Sequence, residues 1–200
     1  MNRIALPSLA LLAALAACDR TPAPPATPPA PEVPAAPAAP PSAEATPAAA
    51  AASGKADWQG YSAAQLGIDV EQLRTVWEGE LQGDAAADGA CYYLQPAGQG
   101  KDGVALMIEG NRFIRYDLRG GDEPAPGGGK VGMDLAQLQA LYPKAEAPQP
   151  HKYVEGGKVL RVPAGDGSAG WLVFELGADG KASSWRVGLL PQVDYVEGCG

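Results

Sequence analysis

The chain has 200 residues, which allows one domain or two small ones. A net charge of −8 argues against a nucleic-acid-binding protein and against a polybasic membrane-surface protein. One His and three Cys are too few for most zinc sites and for a disulfide-dense miniature scaffold. We therefore expect no metal, no cofactor and no nucleic-acid partner.

The N-terminus has the pattern of a bacterial lipoprotein signal. One positive charge at Arg3 precedes an apolar run over residues 4–17, which is too short to span a bilayer. The run ends in Leu15-Ala16-Ala17-Cys18, which resembles a lipobox. We expect removal of residues 1–17 and acylation of Cys18, which would anchor the protein to a membrane by its lipid. The alternative is an ordinary secretory signal with a chance Cys, and the choice between inner and outer membrane stays open.

A proline-rich stretch follows the signal. Residues 21–50 hold eleven of the twenty prolines, and all thirteen aromatic residues lie at or after Trp58. Such a segment buries too little apolar surface to offset its ordering entropy. We therefore interpret residues 18–56 as the lipidated Cys and a disordered tether, and residues 57–200 as one folded, monomeric domain in the periplasm.

The folded part contains an internal repeat. Residues 65–73 return as residues 130–138, an offset of 65. In each copy an Asp precedes an apolar-periodic run and a Gln follows three residues later, a variant capping box that predicts a short helix. The repeat divides the domain into units at about 58–126 and 127–200.

Each predicted helix is followed by strand patterns. Each unit has a strand, a glycine-rich loop and a hairpin, with turns at Gly110-Asn111 and Asp179-Gly180. In the returning strand of the first unit, Ile114, Tyr116 and Leu118 are expected to face the core. The predicted fold class is therefore α+β: two related helix–strand–hairpin units share an antiparallel sheet, with short helices on one face.

The helix starts carry a resemblance. Gly67-Ile68-Asp69-x-x-Gln72-Leu73 and Gly132-Met133-Asp134-x-x-Gln137-Leu138 resemble the Gly-Met-Thr-x-x-Glu-Val start of the SmpA/OmlA (BamE-like) lipoprotein family, with Asp in place of Thr. The same start occurs in the tandem units of the β-lactamase-inhibitor-protein fold. The ending Tyr-Val-Glu-Gly-Cys at residues 195–199 resembles that of small bacterial envelope proteins, some of them labelled lectins. These resemblances imply a tandem fold that binds a protein or a glycan.

Two cysteines remain beside Cys18. Cys91 and Cys199 form an even pair in an oxidising compartment, and we predict a disulfide between them. A loop of about 109 residues would gain roughly 4 to 5 kcal/mol in the chain-entropy model. The alternative is a redox or nucleophilic Cys.

The sequence offers little for catalysis. Gly167-Ser168-Ala169-Gly170 is not a nucleophile elbow, and Gly127-Gly128-Gly129-Lys130-Val131 lacks the Ser or Thr of a phosphate loop. His151 stands alone, and a loop histidine is the simple interpretation. We predict no catalytic residues and no enzyme, although sequence leaves paired acids for glycoside hydrolysis open.

The predicted working surface is the sheet face opposite the helices. Arg115, Arg119 and Arg186 lie there on matching strands of an acidic domain, and Arg recognises carboxylates and rings. A merely solvated face is the alternative, and the loops near His151 and Tyr153 are the next candidates. The predicted function is non-catalytic binding of an envelope protein or secreted enzyme; the alternative is carbohydrate binding.

Overall fold

The computed structural model describes residues 55–85 and 90–200, which belong to one compact unit. The predicted signal peptide, the lipidation site at Cys18 and nearly all of the tether lie outside the described residues. In the described ranges no helix is long and apolar enough to cross a membrane.

Two helices lie among the described residues, α1 (Val70–Val76) and α2 (Leu135–Leu141). The side chain of Asp69 accepts a hydrogen bond from the Gln72 amide, and Asp134 does the same for Gln137. The reciprocal bond of a full capping box, from the Asp134 amide to the Gln137 side chain, is present at α2. Each Asp therefore satisfies a first-turn amide that would otherwise lack a partner.

Eleven strands lie in the described part of the chain. They are β1 (Ala56–Asp57), β2 (Gly60–Tyr61), β3 (Ala64–Gln65), β4 (Leu81–Gln82), β5 (Cys91–Pro96), β6 (Ala105–Glu109), β7 (Arg112–Leu118), β8 (Gln149–Pro150), β9 (Lys158–Pro163), β10 (Trp171–Leu176) and β11 (Ala182–Gly188). A short 3-10 helix, Gln192–Asp194, follows the last strand.

The strands form a small and a large antiparallel sheet. The small sheet has the order β1-β2-β3, and the large one has the order β4-β5-β6-β7-β11-β10-β9-β8. The centre of the large sheet is the pairing of β7 with β11, where Trp185 lies opposite Leu118 and Val187 opposite Tyr116. The two hairpins β6–β7 and β10–β11 therefore lie side by side.

The first hairpin turn predicted from the sequence is present at Gly110-Asn111. Both residues have positive φ, 55° and 61°, as a two-residue turn of type I′ requires. Near the turn the register of β6 against β7 shifts, and Ile114 has no partner in the ladder. Because of this bulge Phe113, rather than the predicted Ile114, shares the main core with Tyr116 and Leu118.

The predicted α+β class is wrong, since the domain is mostly β. The helices have seven residues each and bury only Val70, Leu73 and Leu138, too little to cover an eight-stranded sheet. The small sheet completes that cover: Tyr61 on β2 contacts Tyr116 on β7 with ring centroids 5.2 Å apart. The sequence patterns gave no sign of β1–β3, because strands of two residues show no periodicity.

The other face of the large sheet is crossed by the C-terminal strap, which we define as residues 189–199. The Leu189 amide donates to the Ile114 carbonyl at 2.9 Å, which starts the strap beside β7. Val193 in the middle of the strap is fully buried. The strap ends at a disulfide between Cys199 and Cys91 on β5, which confirms the predicted pairing.

Candidate functional site

The face under the strap is charged, because strand alternation puts its residues opposite the core. Arg115 and Asp117 lie on β7, Glu175 on β10 and Arg186 on β11. Arg115 and Arg186 are only 2% and 3% exposed, respectively. This corrects the expectation of an open arginine face, because the strap covers these two side chains. Buried charges require partners.

Arg115 joins β7 to the strap. Its Nε lies 3.0 Å from both carboxylate oxygens of Asp117. Its Nη1 donates to the carbonyls of Gln192 and Tyr195 at 2.9 and 2.7 Å. One guanidinium group therefore satisfies a buried carboxylate and two strap carbonyls at once, which the planar fork of Arg permits.

Arg186 extends the same arrangement along the sheet. Its Nε donates to the Val193 carbonyl at 2.6 Å, and its Nη1 forms an ion pair with Glu175. Burial by itself would raise the pKa of the Glu175 carboxyl, but the charge and hydrogen bond of Arg186, with a smaller contribution from His151, hold that pKa below its ordinary value. Glu175 is therefore an anion at neutral pH.

His151 connects this charged layer to a surface loop. Its Nε2 lies 3.5 Å from Glu175 Oε2, and its side chain is 5% exposed. Its Nδ1 accepts hydrogen bonds from the amides of Tyr153 and Val154, both at 3.1 Å. The ring therefore holds the loop that follows it against the sheet.

A second arginine-centred cluster fastens the strap from the β9 side. Arg161 donates to both carboxylate oxygens of Asp194, at 2.9 and 3.0 Å, and to Glu146 at 2.7 Å. Its guanidinium carbon lies 4.6 Å from the centre of the Trp171 ring. The strap is thus held by three arginines and a disulfide, which leaves it little freedom to move.

The outer side of this assembly presents what we call the tyrosine surface: Lys152, Tyr153, Val154, Tyr195 and Glu197. Tyr153 is 55% exposed and Tyr195 is 37% exposed. Lys152 lies on the loop after His151, and its side chain reaches the strap. Its Nζ is 3.2 Å from Glu197 Oε1 and 4.8 Å from the centre of the Tyr153 ring. The surface is therefore one continuous patch of mixed charge on a rigid support.

Two hollows border the tyrosine surface. One of about 300 Å³ lies between Lys152 and the strap, where Tyr195 and Glu197 also line it. The other, of about 500 Å³, is lined by His151, Val154 and Lys158 among others.

The predicted site residues therefore fall into different environments. His151 and Tyr153 lie together at the tyrosine surface, where the His151 ring is buried and the Tyr153 side chain is exposed. Arg119 is exposed and lines a hollow of about 180 Å³ with Tyr93, Lys101 and Asp117. Arg119 therefore differs from Arg115 and Arg186 in being open to solvent.

Sequence reasoning missed the residues that organise the site. It did not assign roles to Glu175, Arg161 or the strap carbonyls, because these partners are 7 to 80 residues apart in sequence. One signal was present in the Tyr-Val-Glu-Gly-Cys ending, which contains Tyr195 and Cys199 of the strap.

The polar groups beside Glu175 and His151 have partners within the protein. Ser184 Oγ donates to Glu175 Oε2 at 3.4 Å, and Nδ1 of His151 accepts from two backbone amides. Within residues 55–85 and 90–200, no group of three or more His, Cys, Asp or Glu could hold a metal ion.

No protein-family model and no curated protein matches the chain. Among solved structures, an extracellular protein containing a SCP domain from Bacillus anthracis is similar at 10% identity and a TM-score of 0.42; the alignment covers 62% of this chain and 44% of that one. The uncharacterized protein YfeY from Escherichia coli is similar at 20% identity and a TM-score of 0.41, over 67% of this chain and 99% of that one. The chain thus spans less than half of the first protein, and likenesses at these TM-scores carry no argument about function.

Proposed function

We propose that this protein is a non-catalytic binding protein of the bacterial cell envelope whose tyrosine surface binds an envelope protein or a secreted enzyme. The observation that carries the proposal is the exposed pair Tyr153 and Tyr195 on a rigid support. Tyrosine is enriched at protein interfaces because it combines a large apolar ring with a polar tip. A partner that binds a surface already held in place loses less conformational entropy than one that must order it.

The charges around the two tyrosines favour a protein over a glycan. Lys152 contacts the Tyr153 ring and lines a hollow with Tyr195 and Glu197, and Lys152 and Glu197 form a salt bridge in which both side chains are well exposed. A partner protein can replace such an exposed pair with its own charges at small cost, since surface ion pairs contribute about 0 to 1 kcal/mol. Carbohydrate binding is the second candidate, favoured by the hollow of about 300 Å³ that Tyr195 lines.

The location follows from the same proposal. A disulfide between Cys91 and Cys199 fits an oxidising compartment such as the periplasm. We infer that a lipid on Cys18 anchors the protein and that the proline-rich segment holds the domain away from the membrane. Arg119, on the exposed rim of a separate hollow, is a peripheral contact in this proposal.

The test compares binding by the parent chain and by Tyr153→Ala/Tyr195→Ala. The tagged full chain is incubated with envelope extract, captured proteins are quantified, and the affinity for the purified main partner is measured alongside a glycan array. We expect at least a tenfold loss of affinity in the double variant, with an unchanged urea midpoint, because aromatic interface residues commonly contribute about 1 to 2 kcal/mol or more each.

The matched control is Leu141→Ala. Leu141 is 43% exposed on α2, which packs on the other face of the large sheet. Its removal should leave binding unchanged. Equal affinity in the double variant would overturn the proposed surface, and capture of a glycan without a protein partner would replace the first candidate with the second.

A further inference from the structure

We propose that His151 is a pH-sensitive latch: protonation of its ring releases the backbone of Tyr153 and Val154 and reshapes the tyrosine surface. As a regulation of binding, this inference rests on the proposed function, whereas the latch itself is a property of the loop. Three observations carry it: the two amides that face Nδ1, the carboxylate that faces Nε2, and the burial of the ring between them.

The contacts of the ring define its protonation state. Nδ1 accepts hydrogen bonds from the amides of Tyr153 and Val154, so it carries a lone pair and no proton. The ring proton therefore lies on Nε2, which faces Glu175 Oε2 at 3.5 Å. A neutral imidazole has one donor and one acceptor, and both have suitable partners here.

Adding a proton to the ring changes the contacts of Nδ1 with the two amides from attractive to repulsive. Protonated Nδ1 becomes a donor, and it then faces two backbone donors at 3.1 Å. Both hydrogen bonds are lost, and the like-signed dipoles add repulsion. Among the described residues His151 is the one acceptor found for either amide, so the protonated ring leaves both amides without their partner.

The opposite side of the ring decides what moves. Glu175 on β10 is an anion, and it is held by Arg186 on β11 and by the Ser184 hydroxyl. A protonated ring keeps its Nε2 proton and gains the attraction of this carboxylate, so it stays on the sheet. One remaining charged neighbour is Lys152, which is paired with Glu197. The others are Glu155 and Lys158, which line the hollow of about 500 Å³ next to His151. The loop is therefore the part that gives way.

The release of the loop would alter the surface that we propose for binding. Lys152 and Tyr153 follow His151 directly, and the Lys152 ammonium lies 4.8 Å from the centre of the Tyr153 ring. A shift of the 153–154 backbone changes the position of that ring relative to Lys152 and Glu197. Histidine is the side chain whose charge in general changes between about pH 5 and 8, so the test covers this range.

The test follows the loop directly by NMR in the purified full chain, without a partner. His151 is the one histidine of the sequence, so its ring resonance reports the titration without overlap. Between pH 7.5 and 5 we expect the amide resonances of Tyr153 and Val154 to shift with the same midpoint as the ring. Their hydrogen exchange, corrected for its intrinsic pH dependence, should become at least tenfold faster.

Two variants separate the latch from other pH effects. In His151→Asn the side-chain oxygen can accept from amides two and three residues ahead, as in an Asx-turn, but it does not titrate. The two amides should then keep the same protection at both pH values. In Glu175→Gln the attraction for the protonated ring is lost. The midpoint of the pH-dependent shift of the Tyr153 and Val154 amide resonances should then move to lower pH.

The outcomes distinguish the latch from the binding function. Constant exchange of Tyr153 and Val154 while the His151 ring titrates would overturn the latch, as would an unchanged pH response in His151→Asn. Neither result touches the binding proposal, since no partner is present. Unaltered affinity in Tyr153→Ala/Tyr195→Ala would overturn the binding surface and leave the latch in place.

Discussion

Replacement of Arg115 by methionine tests whether the buried charges hold the strap. Methionine keeps much of the length of the side chain but removes its charge and all of its hydrogen bonds. Asp117, only 6% exposed, would then be a buried carboxylate without its arginine, and the carbonyls of Gln192 and Tyr195 would each keep a backbone donor but lose the arginine. Breaking a buried ion pair in this way costs about 3 to 5 kcal/mol.

The assays are urea unfolding, which gives the free energy of unfolding, and thermal unfolding, which gives Tm, both with the disulfide intact. For a domain of this size, 1 kcal/mol corresponds to about 2 to 4 °C in Tm, so Arg115→Met should lower Tm by roughly 6 to 20 °C. The matched control is Arg119→Met, one residue beyond β7 and exposed, which should change the free energy of unfolding by less than about 0.5 kcal/mol.

A double variant tests the physical reason. In Arg115→Met/Asp117→Leu no charge is left uncompensated, so the double variant should recover at least about 1 kcal/mol of the loss in the single one. A loss below about 1 kcal/mol in Arg115→Met, or a double variant less stable than the single one, would refute the reasoning.

Three further predictions concern the strap, a buried tyrosine and the anchor. Cys91→Ser/Cys199→Ser opens a disulfide with a sequence separation of 108 and should lower the free energy of unfolding by up to about 4 to 5 kcal/mol; a loss under 1 kcal/mol in urea would contradict this. Burial raises the pKa of Tyr93 to about 12, so the stability due to its neutral form is present below about pH 10 and lost as the pH rises through 12. Tyr93→Phe should therefore reduce the alkaline loss in urea midpoints between pH 9 and 12, and an equal loss in both proteins would speak against this role. Cys18→Ser should leave the precursor uncleaved and unlipidated, and radiolabelled palmitate entering that variant would disprove the lipobox.

Local chemistry in the sequence identified several elements correctly. Asp69 and Asp134 cap the helices, and Gly110-Asn111 forms the hairpin turn, because such signals depend on residues only a few positions apart. The disulfide could also be predicted from the sequence, since the two cysteines other than Cys18 allow a single pairing in an oxidising compartment.

The fold class and the candidate site depended on contacts that sequence does not show. The strands β1–β3 have two residues each, so no alternation reveals them, yet Tyr61 among them packs on the centre of the large sheet. The helices were predicted at nearly their true positions, but their length leaves most of the sheet to be covered by other segments.

The arginines show the limit most clearly. Strand alternation correctly placed Arg115 and Arg186 on the face opposite the main core, which is a property of the local sequence. Residues 189–199 cover that face and exclude it from solvent. Their carbonyls accept hydrogen bonds from the same two arginines. Hydrophobic patterning separates the two faces of a strand, but what covers the polar face is decided by a distant segment, and only the tertiary structure brings the two together.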